Sequence, residues 1–391
     1  MSTVPHPELE SRRCSPESLA SAIKSRALEL GFDFVGIAPA LPAPHAEFFR
    51  RWLEFGRAGT MAYMLRDPER RINPSLVLPN AKSVISLAVS YYCGDPPQAG
   101  LDQGRIARYA LGRDYHEVLQ EPLRLLAEFI AKSTGGACKV YTDTGPILER
   151  DYAMLAGIGW IGKNTNLIHP RAGSWLFLAE IITDVHLPPD PPASEHCGRC
   201  NRCLDACPTK ALLGPRDLDA SRCISYLTIE LKGPIPRDMR PLIGNWIFGC
   251  DICQEVCPFN RRPLRTRNRL FEPTSKEAAV PKLADILRLD EEGFRRQFRN
   301  SPIKRAKRQG LLRNAAVALG NSKDPQAVPV LAEAVQDKEP LVRAHAAWAL
   351  GQIGGRAAEN VLGQALRSET DPGVLEEIAF ALGIKEESHV C

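Results

Sequence analysis

The first 190 residues of the chain alternate between helical and extended hydrophobic patterns. Residues 18–31 place apolar side chains at helical spacing and end in glycine, which predicts a helix, and residues 32–39 predict a strand that a proline terminates. The same alternation predicts strands at 83–92, 138–146 and 175–185 and helices at 121–136 and 147–157. It is typical of an α/β or α+β domain.

The final part of the chain contains an internal repeat. The strings AAVALG (315–320), AAWALG (346–351) and IAFALG (378–383) recur at intervals of 31 and 32 residues. Their small and apolar residues lie at helical spacing, and Asp-Pro or Glu-Pro pairs precede the units. The pattern predicts HEAT-like helical hairpins that stack into a short solenoid.

Composition and charge narrow the class of protein only slightly. The 391 residues are 44% apolar and 25% charged, which is ordinary for a globular protein of several domains, and the net charge is +4. The basic residues are concentrated in two stretches. Residues 261–269 hold five arginines, and residues 295–308 hold seven Lys or Arg. This basic tract fits either a nucleic-acid face or a solvated surface beside a protein-docking repeat. Aromatic residues are sparse there, which favours phosphate contacts to a folded RNA over base stacking.

No segment predicts export or insertion into a membrane. The N-terminal residues MSTVPHPELESRRC hold neither an apolar signal region nor a twin-arginine stretch. The longest apolar runs, at 83–93 and 175–182, are too short to cross a bilayer. We therefore expect a cytoplasmic, monomeric protein without a membrane partner.

Eight of the twelve cysteines lie between residues 197 and 257. In a compartment that keeps thiols reduced, cysteines gathered this closely usually bind metal. The first run, CGRCNRCLDACP (197–208), matches the C-x2-C-x2-C-x3-C-P pattern of bacterial ferredoxins, in which the fourth cysteine binds the other cluster. The second run, CDICQEVCP (250–258), has three cysteines where four are expected.

Two [4Fe–4S] clusters need eight thiolates, and Cys223, between the two runs, completes that number. The predicted ligands are Cys197, Cys200, Cys203 and Cys257 for one cluster and Cys207, Cys223, Cys250 and Cys253 for the other. Two zinc sites are the alternative, although zinc ligands usually come as two separated C-x2–4-C pairs. The scattered Cys14, Cys93, Cys138 and Cys391 are expected to be incidental thiols. Because a ferredoxin module only carries electrons, the substrate chemistry is expected in the segment before it.

Asp143 is the first candidate for chemistry outside the cysteine runs. It follows a predicted strand where a loop opens toward a helix, and the carboxyl ends of strands are where α/β sheets form sites. A carboxyl group partly removed from water has a raised pKa and can donate a proton. The competing explanation is a turn, which Asp143, Thr144 and Gly145 also suit.

The string GIGWIG (157–162) matches the dinucleotide-binding pattern G-x-G-x-x-G. That pattern must follow a strand and open a helix, whereas here a helix precedes it and a predicted loop follows. We therefore reject dinucleotide binding. The glycines with Trp160, Lys163 and Asn164 indicate either a tight turn or a backbone packed against something large and flat.

From about residue 15 to residue 390, the chain resembles the epoxyqueuosine reductase family. The resemblance depends on the order of its parts, in which the cysteine runs and the repeats follow four N-terminal motifs. These motifs are MAYMLRDPERR (61–71), RYALGRDYH (108–116), YTDTGPILERDYA (141–153) and GWIGKNTNLI (159–168). The resemblance implies an oxidoreductase that removes the epoxide oxygen of epoxyqueuosine at the wobble position of tRNA and so forms queuosine and water.

The resemblance also implies cofactors, partners and site residues. A cobalamin would lie between the N-terminal domain and the ferredoxin module, an external donor would reduce the clusters, and Asp143 would be the proton donor. The anticodon stem-loop of tRNA would bind to the basic tract and the solenoid. Implied cobalamin contacts are Tyr63, Arg66, Arg150, Ile158, Trp160, Gly162, Lys163 and Asn164. The D-x-H-x-x-G cobalamin signature is absent, so His116 is not taken as a cobalt ligand.

Two other functions share some of these features. A cobalamin-dependent reductase like the reductive dehalogenases would usually carry a twin-arginine signal and lack the repeats, and an iron–sulfur electron-transfer protein would have no substrate of its own. The predicted domains are a catalytic cobalamin-binding α/β (α+β) domain at 1–188, a ferredoxin-like double-cluster module at 189–262, a basic linker at 263–308 and α-helical HEAT-like repeats at 309–391.

Overall fold

The computed structural model describes residues 15–384, and Cys14 and Cys391 lie outside them. The elements of the N-terminal domain are α1 (Pro16–Glu29), β1 (Phe34–Pro39), α2 (Ala46–Glu54), α3 (Ala62–Leu65), α4 (Pro68–Ile72), β2 (Ser83–Ser90), β3 (Arg105–Ile106), α5 (Tyr115–Thr134), β4 (Cys138–Tyr141), α6 (Glu149–Leu155), β5 (Trp160–Ile161), β6 (Leu167–Ile168) and β7 (Leu176–Thr183).

A four-stranded antiparallel sheet with the order β1-β2-β7-β4 forms the centre of this domain. Helices α1 and α5 cover one face, where Ile85 and Leu87 of β2 lie in the core. Helix α6 covers the other face and packs against β1, β2 and β7. Because helices cover both faces, the central strands are continuously apolar instead of alternating between apolar and polar residues.

The predicted strands and helices of this domain are all present, with two differences. The helix predicted from residue 121 begins at Tyr115, because the Asp114 carboxylate accepts a hydrogen bond from the His116 N–H and caps it. The strand pairings of the sheet are antiparallel, so the domain is α+β and not a doubly wound α/β sheet. Asp143 follows β4, as predicted.

The cysteine-bearing module follows. Its elements are α7 (Arg202–Ala206), β8 (Leu212–Gly214), β9 (Asp217–Leu218), α8 (Arg240–Ile243), β10 (Trp246–Phe248) and α9 (Ile252–Glu255), with a π-helical turn at Tyr226–Glu230. The short helices α7 and α9, one within each cysteine run, pack against each other. Strand β10 pairs in parallel with β3, so a two-stranded sheet joins the module to the N-terminal domain.

The C-terminal region is helical, as predicted. It comprises α10 (Lys276–Ala279), α11 (Leu283–Leu287), α12 (Glu291–Phe298), α13 (Lys307–Ser322), α14 (Val328–Ala334), α15 (Pro340–Ile353), α16 (Gly355–Ser368) and α17 (Pro372–Ala381). Between residues 15 and 384, no helix is both long and apolar enough to cross a bilayer.

The repeated strings lie on α13, α15 and α17, which pack side by side as the predicted solenoid requires. The glycine of the string is a contact point between these helices. A Cβ atom at Gly320 would lie 2.8 Å from Ala349 Cα, and one at Gly351 would lie 2.7 Å from Ala381 Cβ. Each copy of the repeat therefore has small residues where the backbones of neighbouring helices approach closely.

One hydrophobic cluster continues from the module into the solenoid, and it includes Phe248 and Trp348. Arg313 of α13 is fully buried and connects the two parts. Its guanidinium donates hydrogen bonds of 2.6 and 2.8 Å to the carbonyl oxygens of Leu227 and Leu231, at the π-helical turn. The solenoid and the module therefore share one core.

A buried ion pair attaches the last helix to this core. Arg240 Nη2 lies 2.8 Å from Glu377 Oε1, with the two side chains 2% and 10% exposed. Removing one partner leaves a buried charge without compensation, so we expect Glu377→Ala to weaken the docking of α17 by about 3 kcal/mol. Hydrogen exchange of the amides in 372–381 should accelerate accordingly.

The neighbouring Glu376 provides the matched control. Its carboxylate is 61% exposed and pairs with Arg237, so Glu376→Ala should cost less than about 1 kcal/mol. Equal exchange rates in the two variants would contradict the structural role assigned to Glu377.

Candidate active site and cysteine groups

The eight cysteines of the module form two groups. In the first cysteine group (Cys197, Cys200, Cys203 and Cys257), the thiol of Cys257 interacts with those of Cys197 and Cys200, and Cys203 interacts with Cys197 and Cys257. In the second cysteine group (Cys207, Cys223, Cys250 and Cys253), Cys223 interacts with Cys207, and Cys250 with Cys223 and Cys253. Cys253 of the second group also interacts with Cys203 of the first, so the assignment of four cysteines to each cluster stays a prediction.

The chemistry of these thiols suits a polynuclear cluster. Burial raises the pKa of the Cys250 and Cys253 thiols far above the usual range, and neighbouring thiols raise it further. Adjacent buried thiolates therefore need positive charge from bound metal. Within residues 15–384, no three Cys, His, Asp or Glu side chains converge as the ligands of a single ion would. A cubane distributes its thiolates over four iron atoms, which keeps the ligands farther apart.

The hairpin segment (157–168) lies between α6 and the two cysteine groups. It forms β5 and β6 directly after a helix, which agrees with the rejection of a dinucleotide-binding turn. The indole Nε1 of Trp160 donates a hydrogen bond to Cys197 Sγ at 3.4 Å, and Lys163 Nζ donates one to the Gly198 carbonyl at 2.8 Å. Both side chains therefore contact the loop of the first cysteine group.

The same segment also reaches the second cysteine group. Asn164 Nδ2 donates to the Cys253 carbonyl oxygen at 3.2 Å, and Arg150 of α6 donates to the Thr165 carbonyl oxygen at 2.7 Å. The observed partners of the Trp160, Lys163, Asn164 and Arg150 side chains are thus protein groups. Their cobalamin contacts stay predictions that involve the backbone or the remaining surface of these residues.

The other predicted cofactor residues have different environments. Ile158 is 4% exposed and belongs to a small apolar cluster beneath the hairpin. Gly162 is tightly packed, since a Cβ atom there would lie 2.4 Å from Ile168 Cδ1. Arg66 is exposed at the end of α3, and Tyr63 within α3 is 37% exposed. Of this set, Tyr63 and Arg66 therefore present free side-chain surface.

Asp143 lies in what we call the cleft, the solvent-exposed region bordered by α3, residues 142–146 and Arg305 of the basic linker. Its side chain is 62% exposed, and its Oδ2 atom lies 3.4 Å from His116 Nε2. Its backbone has a φ of 57°, in the left-handed region that is uncommon for residues other than glycine. The Asp143 N–H donates a hydrogen bond of 2.5 Å to Glu149 Oε1 at the start of α6.

The expectation that Asp143 has a raised pKa is wrong. Burial is the largest single influence and acts to raise the pKa of this carboxyl group, but the ion pair with His116 and the other neighbouring groups together outweigh it and lower the pKa. Asp143 is therefore an ionised carboxylate at neutral pH.

His116 holds the proton of this pair. Its Nδ1 atom lies 2.7 Å from Asp114 Oδ1, and Lys304 Nζ lies 2.8 Å from the other oxygen of that carboxylate. Burial acts to lower the pKa of His116, but the hydrogen bond to Asp114 and the ion pair with Asp143 raise it to about 9. At neutral pH the cleft therefore contains an imidazolium that contacts the Asp143 carboxylate.

Three segments form the walls around this pair. The Arg71 guanidinium donates hydrogen bonds of 3.2 Å to the carbonyl oxygens of Tyr63 and Gly145. Arg71 therefore joins α3 to the loop that carries Asp143. Arg305 lies with its guanidinium 5.5 Å from the centre of the Tyr63 ring and pairs with Glu230 of the π-helical turn at 2.8 Å. The basic linker and the module therefore both reach the cleft.

Several residues of the site were missed in the sequence. His116 was considered only as a cobalt ligand, and Arg305 was seen only as part of a basic tract. Glu180 had a visible signal, because it is the one acidic residue in the apolar run 175–182.

Arg108 connects the cleft side of the chain to the second cysteine run. Its backbone N–H and its guanidinium donate hydrogen bonds of 2.8 and 3.1 Å to the buried Asp251.

Comparison with known families first defines the class of protein. The family model for double 4Fe–4S cluster binding domains matches residues 196–260, and the model for HEAT repeats matches residues 303–383. With the antiparallel α+β domain, the chain is a double-cluster iron–sulfur protein with a helical-repeat region. The predicted fold class is confirmed, and the zinc alternative is not supported.

The chain belongs to the epoxyqueuosine reductase family, and the predicted oxidoreductase class is thereby confirmed. The family model described as epoxyqueuosine reductase QueG, DUF1730, matches residues 71–144. The epoxyqueuosine reductase of Pseudomonas aeruginosa is 45% identical over 87% of this chain and 96% of its own length. The Escherichia coli K12 enzyme is 40% identical over 85% of this chain and 89% of its own length.

Solved structures support the same assignment. An epoxyqueuosine reductase crystallised with a tRNA-Tyr epoxyqueuosine-modified stem loop matches with a TM-score of 0.88 and 35% identity, over 94% of this chain and 98% of that chain. The Bacillus subtilis enzyme, with its catalytic loop swung out of the active site, matches with a TM-score of 0.85, 35% identity and the same coverage of 94% and 98%.

The grouping of the cysteines makes Cys223 a test of the second cluster. Cys223→Ala should lose that cluster and keep the first, because no cysteine of the first group changes. Iron and sulfide in the anaerobically reconstituted protein should fall to about half. Cys138→Ala, in β4 and outside both groups, is the control with full iron content. Wild-type iron in Cys223→Ala would contradict the assignment.

Proposed function

We propose that this protein reduces epoxyqueuosine to queuosine at the wobble position of tRNA, with cobalamin that receives electrons from two [4Fe–4S] clusters. The observation that carries the proposal is the cleft, in which the Asp143–His116 pair faces solvent beside a module with two groups of four cysteines. Family membership supports the substrate, because the relatives are epoxyqueuosine reductases. A tRNA substrate also implies action in the cytoplasm.

The two cysteine groups are the proposed ligands of the clusters. The second group lies nearer the cleft, because Cys223 leads into the π-helical turn, where the Tyr226 hydroxyl accepts a 2.9 Å hydrogen bond from the Thr60 N–H next to α3. Electrons from an external donor would therefore enter at the first cluster, pass to the second, and leave toward the cleft.

The surface of the cleft fits a large, flat, partly apolar cofactor. All four residues of α3 are apolar or aromatic, and none of them is buried. Tyr63 and Leu65 are 37% and 56% exposed at this site. Such unburied apolar surface beside a carboxylate suits the face of a corrin ring. Tyr63 and Arg66 would hold cobalamin on this side, and the hairpin segment would line the opposite side.

Cobalamin, when bound, supplies a strongly reducing metal centre for cleavage of the carbon–oxygen bonds. This chain supplies the proton. Conversion of an epoxide to an alkene and water takes up two electrons and two protons, and negative charge develops on the departing oxygen. His116 Nε2 and Asp143 Oδ2 hold one proton between them at the cleft. His116 passes that proton through the more exposed Asp143 to the departing oxygen, the second proton comes from solvent, and Asp114 keeps His116 oriented.

The structure narrows the proposed tRNA contacts within the basic tract. Lys304 and Arg308 pair with Asp114 and Asp337, and Arg305 pairs with Glu230, so these cations are already compensated. In the part of the tract at 261–269, four exposed arginines have no ion pair with another described residue. They are Arg261, Arg262, Arg265 and Arg269, and we propose that they contact the phosphates of the anticodon stem.

A mass analysis of the modified nucleoside tests the proposed function. Protein with reconstituted clusters is given cobalamin, a strong reductant and tRNA that bears epoxyqueuosine, and the digested nucleosides are weighed. We expect loss of one oxygen atom only when cobalamin is present. An unchanged nucleoside, with clusters and corrinoid shown to be bound, would contradict the substrate, and absence of corrinoid binding would favour an electron-transfer protein.

Asp143→Asn tests the proton donor. The amide cannot donate a carboxyl proton, so kcat should fall by about 10²–10⁴-fold while both clusters and cobalamin remain bound. Iron content and the corrinoid absorption spectrum check the bound cofactors. Asp285→Asn, in an exposed position of α11, is the control with wild-type turnover. Normal turnover of Asp143→Asn would show that another group donates the proton.

Arg265→Ala tests the proposed phosphate contacts. Loss of one contact should weaken binding of a tRNA stem-loop and reduce the slope of log Kd against log salt concentration by about one. Arg124→Ala is the control, because Arg124 is on α5 and pairs with Glu121 at 2.7 Å. A slope equal to that of wild type would place the tRNA on another surface.

A further inference from the structure

The centre of the N-terminal sheet contains a buried carboxyl group with no ordinary partner. Glu180 of β7 is 0% exposed, and neither of its carboxyl oxygens has a hydrogen-bond partner within the described part of the chain. Its cross-strand neighbours are Ser86 and Tyr141, and the Ser86 hydroxyl also has no partner among these residues. A lone carboxylate in this position would be strongly destabilising.

The carboxyl group of Glu149 approaches Glu180 from the neighbouring helix. Glu149 is the first residue of α6, which packs against β7 on this face of the sheet, and its carboxyl group is near enough to Glu180 for the two charges to act on each other. The other charged groups that act on them are Asp143, which adds a third negative charge, and Arg150, whose guanidinium is bound to the Thr165 carbonyl oxygen. Two neighbouring acids, of which Glu180 is fully buried, cannot both be ionised without a large cost in free energy.

We propose that Glu149 and Glu180 share one proton and act as a latch for the Asp143 loop (142–146). In the shared-proton state the Glu180 carboxyl donates to Glu149, and Glu149 Oε1 accepts the 2.5 Å hydrogen bond from the Asp143 N–H. The two acids are positioning residues, because they act on the backbone of Asp143. The effect on turnover rests on the proposed function, whereas the latch itself is a property of the protein without tRNA.

The Asp143 loop needs such a restraint. Asp143 has a left-handed backbone and an exposed side chain, so its conformation depends on what holds its main chain. Gly145 is held by Arg71 and by close packing against the Tyr141 ring, where a Cβ atom would lie 2.4 Å from Tyr141 Cγ. The main chain of Asp143 itself is held by the hydrogen bond from its N–H to Glu149 Oε1.

The latch should open as the pH rises. Burial, followed by the charge of Asp143, raises the pKa of Glu149 to about 7, and burial with the charge of Glu149 raises the pKa of Glu180 well above its usual value. The favourable state is therefore the protonated one, which is present at low pH and is lost when the pH rises through these raised values. Once both acids are ionised, repulsion separates them and Glu149 no longer holds the Asp143 N–H.

Two measurements on the cluster-loaded protein without tRNA test the proposal. Infrared spectroscopy detects the carbonyl stretch of a protonated carboxyl group, and hydrogen exchange reports the opening of 142–146 after correction for the intrinsic effect of pH. In wild type we expect the infrared band to disappear as the pH rises through and above neutrality. Exchange of the loop should become at least about tenfold faster over the same range.

Variants of Glu180 separate the latch from general stability. Glu180→Gln replaces the titrating proton with an amide donor, so the infrared band should be absent and the loop should stay closed at every pH. Glu180→Leu offers no donor, so the loop should be open at every pH, and kcat should fall about tenfold or more with little change in the KM for tRNA. Glu128→Gln, an exposed acid on α5, should behave as wild type.

Two outcomes overturn the proposal. One is a wild-type protein without a protonated carboxyl band, and the other is a Glu180→Gln variant whose loop exchange keeps the wild-type dependence on pH. Glu180→Gln alone decides the matter if Glu180→Leu does not fold. If the expected spectra and exchange rates are found but epoxyqueuosine is not reduced, the latch stands and the proposed function fails.

Discussion

The proposed exchange of cysteine ligands between the two runs is the constraint on which the rest of the molecule depends. Each predicted ligand set takes members from both runs, so binding of the two clusters would close the segment 197–257 as one unit. The N-terminal domain joins it through the β3–β10 pairing and the Arg108–Asp251 contact. The solenoid joins it through Arg313 and the shared core. The N-terminal domain and the solenoid are thus both attached to the module. The module therefore sets the position of the cleft relative to the clusters.

The parts of the fold that could be predicted are those encoded by short-range spacing. The cysteine runs and the repeated strings of α13, α15 and α17 have a fixed local geometry, so their spacing was enough to identify the module and the solenoid. The order and antiparallel pairing of the sheet were not predictable in the same way. Strands β2 and β7 are largely buried on both faces and mostly apolar, so their sequences do not alternate in a way that would indicate their partners or directions.

The candidate site likewise combines features that local sequence predicts with contacts that only the tertiary fold creates. Asp143 was found because its loop follows a strand, but its ionisation was predicted incorrectly, since His116 comes from a different helix and its contact depends on the tertiary fold. Lys163 was predicted to contact cobalamin and that contact stays a prediction, because the hairpin turns its side chain toward Gly198 beside the first cysteine group. Glu180 shows that a single acid within an apolar strand is a signal that can be used in advance.

The hairpin segment also affects how readily charge can move. An electron passing between metal centres is slowed by every atom that must shift when the charge arrives. Trp160 already directs an N–H group at the Cys197 sulfur, and Asn164 holds the Cys253 carbonyl of the other group. Because one short antiparallel pair carries both contacts, the surroundings of the two centres are set before any electron arrives. In the proposed reduction, this fixed arrangement would keep the reorganisation energy of electron transfer between the clusters low.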